Sequence, residues 1–104
     1  MHSQIDLRGA SGALYRYRQA NPSRPNVAGG GNYVYVREAG GSPEVVYAGE
    51  TDSLAGGFER WEEAVRKHGA THVFTRLNVS GATRSQELGD LIPALGPVMN
   101  DGRC

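Results

Sequence analysis

The stretch that most constrains the fold is GNYVYVREAGGSPEVVYAG, residues 31–49. Two runs rich in β-branched and aromatic residues, 32–38 and 44–49, flank a Gly-Gly-Ser-Pro break. Such residues suit a pleated, half-buried surface. A spacing of about five Gly-containing residues reads as an antiparallel hairpin. Side-chain alternation then places Tyr33 and Tyr35 on one face and Val34 and Val36 on the other. Taken alone, Tyr33 and Tyr47 fit as aromatics packing across the hairpin.

The remaining chain supplies partners for that hairpin. Residues 1–12 read as a polar lead-in. The run ALYRYRQ (13–19) alternates Leu14, Arg16 and Arg18 with Tyr15 and Tyr17, a pattern that predicts a short edge strand. Two prolines and three consecutive glycines over 20–31 predict a loop. In FERWEEAVRKHG, Phe58, Trp61, Val65 and His68 recur on one helical face. Glu62–Arg66 and Glu63–Lys67 stand as i,i+4 pairs, and Gly69 is a natural stop. Residues 71–79 predict a further strand. Thr83 and Gln86 have capping-box spacing before the stripe Leu88, Leu91, Ile92 and Leu95, and Pro93 should kink or end that helix. The order β-β-α-β-α predicts an α+β fold, a small antiparallel sheet with helices against it.

A chain of 104 residues builds one core. Its lone Cys104 allows no internal disulfide. No apolar run reaches the roughly 20 residues of a membrane span, and the N-terminus lacks the apolar stretch of a signal peptide. The expectation is a cytoplasmic protein without membrane association. Net charge is zero but unevenly spread. Residues 1–37 carry five arginines against Asp6, a net of +4, whereas 38–63 carry seven acids against Arg60, a net of −6. Ten of the eleven basic residues are arginine, which suits bidentate phosphate contacts. Arg16, Arg18 and Arg24 are the candidate nucleic-acid contacts, although a neutral domain grips nucleic acid weakly. A phosphate-binding loop is excluded because GGGN precedes a strand. One cysteine and scattered histidines give no zinc spacing, and no Ser-His-Asp elbow occurs.

Five short motifs in order carry a family resemblance. They are GNY with Gly31 and Tyr33, YAG with Tyr47 and Gly49, Arg60 in FERW, DLI at 90–92, and Asn100 after Pro97. Together they resemble the GIY-YIG nuclease superfamily over roughly residues 31–100. The resemblance implies a three-stranded antiparallel sheet flanked by helices across 31–104, with 1–30 as an N-terminal extension. It also implies a DNA endonuclease that hydrolyses phosphodiesters with one Mg²⁺ or Mn²⁺. Tyr33 and Tyr47 would orient or deprotonate the attacking water, Arg60 would stabilise charge on the phosphate, and Asn100 would hold the site. A glutamate on the last helix would bind the metal, with waters completing the shell. A chain this short has no room for a separate DNA-binding module, so a partner protein or a homodimer would add grip.

The resemblance departs at the metal glutamate, whose matching position is Leu88. Its neighbour Glu87 lies about 100° away around the helix. Either a shift in helix phase lets Glu87 take the metal, or the ligand is lost. The position one turn after Arg60, often Tyr or His in the family, is Ala64. His68 and His72 are the nearest candidates to replace it. Three readings therefore stand: a metal-dependent endonuclease, an inactive module of the same fold that binds nucleic acid or a protein, and a structural protein whose resemblance is coincidental.

Overall fold

A computed structural model describes residues 3–23 and 29–101. It is mixed α+β, with a single antiparallel sheet of five strands and two helices. The strands are β1 (Gln4–Arg8), β2 (Leu14–Ala20), β3 (Gly31–Ala39), β4 (Ser42–Thr51) and β5 (His72–Leu77). The helices are α1 (Trp61–His68) and α2 (Gly81–Leu95). Short 3₁₀ turns occupy Leu54–Gly56 and Val98–Asp101. Among the described residues no helix is long and apolar enough to cross a membrane.

The sheet runs β1-β2-β5-β3-β4. The expectation of three strands is corrected: β5, β3 and β4 form a three-stranded unit, and β1 and β2 extend it beyond β5. The strand expected at 13–19 exists, but it is interior; the edge is β1, inside the supposed polar lead-in. Ile5 and Leu7 explain this, because both are buried while Gln4, Asp6 and Arg8 between them are exposed. A period of two over five residues is enough for a strand once a neighbour exists to pair with.

The β3–β4 turn is tighter than its sequence suggests. Ala39 pairs with Ser42, leaving only Gly40 and Gly41, at φ of 60° and 82°. Positive φ at both central residues is what a type I′ turn requires, and glycine adopts it without strain. Further along, a bulge shifts the register: Tyr35 pairs with Tyr47, and Val36 pairs with Val45. Val46 is the extra residue. It puts Val45 with Val36 on one face and Tyr47 with Tyr35 on the other, which unbroken alternation would forbid.

Each face buries its own core. On one side α2 packs Leu88, Leu91, Ile92 and Leu95 against Val34, Val36, Phe74 and Tyr17. On the other, α1 with the two 3₁₀ turns, which contribute Leu54 and Met99, covers Tyr33, Tyr35, Val46 and Val73. The α2 stripe is as its sequence predicts, but its start is not. Ser80 is the N-cap and its hydroxyl accepts from the Thr83 N–H, so Thr83 lies inside the helix. Pro93 neither ends the helix nor stops its last turn, which runs to Leu95 before Gly96 closes it.

Asp90 of α2 fastens the β1–β2 turn. Its carboxylate accepts from the Ser11 N–H at 2.8 Å, the Ser11 hydroxyl at 2.7 Å and the Tyr15 phenol at 2.7 Å. These bonds, the Ser11 hydroxyl first, hold its pKa below the usual value. A depressed carboxyl stabilises the fold above its unfolded pKa, about 3.9, and that contribution disappears as pH falls through the lower folded value. Asp6 and Glu63 are depressed by Arg16 and Arg60 and decline over the same range. Wild type should therefore lose more stability than Asp90→Asn between pH 5 and 2, as read by urea midpoints on the two proteins. Parallel pH profiles would show that the latch does not hold.

Candidate functional site

Tyr33, Tyr47 and Arg60 come together on the α1 face. Tyr33 and Tyr47 have ring centroids 6.0 Å apart, and the Arg60 guanidinium lies 5.5 Å from the Tyr47 ring centre. Tyr35, Phe58 and Trp61 complete an aromatic cluster around them. Phe58 precedes α1 instead of belonging to it. The motif glycines have steric causes. A Cβ on Gly49 would stand 2.8 Å from the Tyr33 ring and hydroxyl; one on Gly31 would stand 2.5 Å from the Arg76 carbonyl oxygen.

The protonation state of Tyr33 runs against a role as base. Burial, reinforced by the neighbouring Tyr47 phenol, pushes its pKa well above the ordinary tyrosine value. A general base at neutral pH needs the opposite shift. Tyr35 is shifted the same way, again chiefly by burial, and its hydroxyl donates to the Glu59 carbonyl.

Arg60 stands at the N-cap of α1. Its φ of 63° is the one positive value at a non-glycine position among the described residues. Its guanidinium is heavily engaged. Nε and Nη2 donate to Glu63 at 3.0 and 2.8 Å, and Nη1 donates to the Met99 carbonyl at 3.2 Å. Glu63 therefore hydrogen-bonds backwards to Arg60, while Lys67, its expected i,i+4 partner, acts on it through charge. Spacing i,i+3 makes this partner readable in sequence once the helix start is known. Asn100 clamps the outer edge of β4: its amide accepts from the Ala48 N–H and donates to the Ala48 carbonyl, both at 2.8 Å. It pairs as a neighbouring strand would, so its visible role is to seat the Val98–Asp101 turn beneath Arg60.

Glu87 does not join this group. It lies on the α2 face, where Arg76 Nε and Nη2 donate to its carboxylate at 2.8 and 3.4 Å. Arg76 alternates with Val73 and Thr75 on β5 and sits on the same side as Phe74, so the sheet separates Glu87 from Tyr33 and Tyr47. Leu88, at the matching position, packs against the α2-side core. His72 is on that side too, with Nδ1 2.7 Å from the Thr71 hydroxyl. His68 ends α1 in a pocket with Arg37, Glu44 and Val98, apart from the tyrosines. Its Nε2 is buried without a hydrogen-bond partner among the described residues.

The residues present do not fit the implied divalent ion. Among the described residues no group of three or more His, Cys, Asp or Glu side chains stands together. Glu63, the acid bonded to Arg60, is held by it in a two-bond fork. Sequence reading also missed a polar network on the α2 side. Buried Asn32 donates to the Arg84 carbonyl and accepts from Asn78, and Arg84 pairs with Glu50 at 3.1 Å. Arg16 and Arg18 lie exposed on β2, and Arg24 is outside the described residues. Comparison with protein-family models, with curated proteins and with solved structures gives no match.

Proposed function

We propose that this chain is a module of the GIY-YIG type that binds without cutting. The observation that carries the reading is the position of Glu87. Its carboxylate is neutralised by Arg76 across the sheet from Tyr33, Tyr47 and Arg60. Hydrolysis by the family's route needs a metal-bound oxygen donor, a positioned water and a free cation converging on one phosphate. Here the cation is committed to Glu63 and Met99, and burial holds the Tyr33 phenol neutral. Tyr33, Tyr47, Arg60 and Asn100 then act as a packed clasp that keeps α1 and the C-terminal turn on the sheet.

The convergence of Tyr33, Tyr47 and Arg60 supports the competing endonuclease reading as far as it goes. A nicking assay separates the two. Supercoiled plasmid incubated with the protein and Mg²⁺ or Mn²⁺ should remain intact, with wild type, Arg60→Ala and Glu87→Ala alike. Metal-dependent nicking by wild type that both substitutions abolish would falsify the non-cutting reading.

A further inference from the structure

The α1 face of the sheet is only half covered. Helix α1 packs over β3 and β4. The same side of β1 and β2 is open: Gln4, Asp6, Arg8, Leu14, Arg16 and Arg18 are all exposed. Leu77 at the end of β5 is 60% exposed beside them. Three of these side chains are arginine and one is an acid. Arg16 shares its charge with Asp6 at 3.0 Å, Arg8 donates to the Gly12 carbonyl, and Arg18 has neither an ion pair nor a hydrogen bond among the described residues. Arg16 and Arg18 line an open groove with Gln19, Thr75 and Leu77.

We propose that this β1–β2–β5 face is a docking surface for the phosphodiester backbone of a nucleic acid, with Arg16 and Arg18 as its phosphate contacts. The inference rests on reading the chain as a binding module. Arg16 and Arg18 project from the same face two residues apart, about 6.7 Å along the strand. That step is comparable with the spacing of successive phosphates on an extended strand. A guanidinium meets a phosphate with two parallel N–H donors, and arginine is therefore better suited to the task than lysine. Exposed Leu14 and Leu77 flank the pair and offer apolar contact to sugars or bases. Among the described residues this face carries no aromatic stacking platform, so the recognition is of backbone and not of sequence.

A neutral chain can hold a polyanion this way because its charges are segregated. Apart from Asp6, paired with Arg16, the exposed acids among the described residues are Glu44 on β4, Asp52 and Glu59 after it, and Glu62 on α1. α1 packs over β3 and β4, which are two and three strands from β2 in the sheet, about 10 and 14 Å at ordinary strand spacing. The screening length in physiological salt is about 8 Å, so the arginine face acts largely independently of the acidic end.

The test is fluorescence anisotropy with a labelled oligonucleotide, single-stranded and as its duplex, over a series of salt concentrations. The proteins are wild type, Arg16→Ala/Arg18→Ala and, as a control, Arg37→Ala, an exposed arginine outside this face. Wild type and Arg37→Ala should bind alike, and the double variant about tenfold more weakly. Losing two phosphate contacts should also flatten the slope of log K against log salt by about 1.4 on a single strand or 1.8 on a duplex. Whichever form binds more tightly identifies the nucleic acid taken. Equal affinity and slope for wild type and the double variant would overturn the proposal, as would no binding by wild type at low salt, the result expected if the face takes an acidic protein. Either outcome leaves the non-cutting reading intact. Metal-dependent cleavage of the oligonucleotide would overturn that reading instead.

Discussion

Tyr35→Ala is expected to destabilise the fold by about 3–5 kcal/mol, the range for removing a buried aromatic ring. Tyr35 is fully buried at the centre of the α1-side cluster. Its ring meets Tyr33, Tyr47, Phe58 and Trp61 at centroid distances of 5.5, 5.4, 6.4 and 5.1 Å, and its hydroxyl ties β3 to the residue before Arg60. A domain of this size has about 5–15 kcal/mol of total stability, so the loss is a large share. With a urea slope of about 1–3 kcal/mol per molar, the midpoint should fall by about 2 M. Tyr35→Phe keeps the ring and gives up only the bond to the Glu59 carbonyl, about 1 kcal/mol. A Tyr35→Ala variant no weaker than Tyr35→Phe would mean that the aromatic cluster contributes little to holding α1 on the sheet.

Two glycine-to-alanine substitutions should move stability in opposite directions. At Gly31 the new Cβ would approach the Arg76 carbonyl oxygen to 2.5 Å and a Leu54 methyl to 2.6 Å. The carbonyl belongs to the backbone of β5, paired with β3 at this point, so relief requires the strands to part. The expected cost is about 1–3 kcal/mol, the usual penalty for overpacking. At Gly89, exposed in the middle of α2, nothing stands within 4 Å of the new Cβ. There alanine should add about 0.5–1 kcal/mol through helix propensity alone. Thermal melts of the two variants side by side would read the sign directly. Equal behaviour would show that Gly31 is not a point of close backbone approach.

The hairpin was legible because its signal is local. Alternation in 32–38 sorts Tyr33 and Tyr35 from Val34 and Val36 without reference to any partner, and the clusters on the two faces follow it. The stripe Leu88, Leu91, Ile92 and Leu95 was legible for the same reason. What failed depended on the rest of the chain. β1 is too short and too charged to announce itself, and only pairing with β2 makes Ile5 and Leu7 a buried row. The interior place of β2 follows from its pairing with β5, more than fifty residues away, which no local pattern encodes. The capping-box spacing of Thr83 and Gln86 pointed one turn too late; the helix starts from Ser80.

At the candidate site, sequence order located Tyr33, Tyr47, Arg60 and Asn100 well enough to bring them near one another. It did not reveal what holds them. Arg60 at φ 63° and its fork onto Glu63 depend on where α1 starts. The Arg76–Glu87 pair joins β5 to α2 across a loop, and nothing in either residue's neighbourhood marks the other. The leucine stripe did carry one usable clue. Glu87 precedes Leu88 at the border of the face that α2 buries, and that face meets the side of the sheet opposite Tyr33.

The central claim is that no divalent ion is held between Glu87 and the tyrosine–arginine group. Mn²⁺ titration followed by NMR tests it most directly, since the ion broadens backbone amide signals near any site it occupies. The account predicts no selective broadening at Tyr33, Tyr47, Arg60 or Glu87, and the same spectra for Glu87→Gln. Broadening that converges on those four residues and disappears in Glu87→Gln would contradict it.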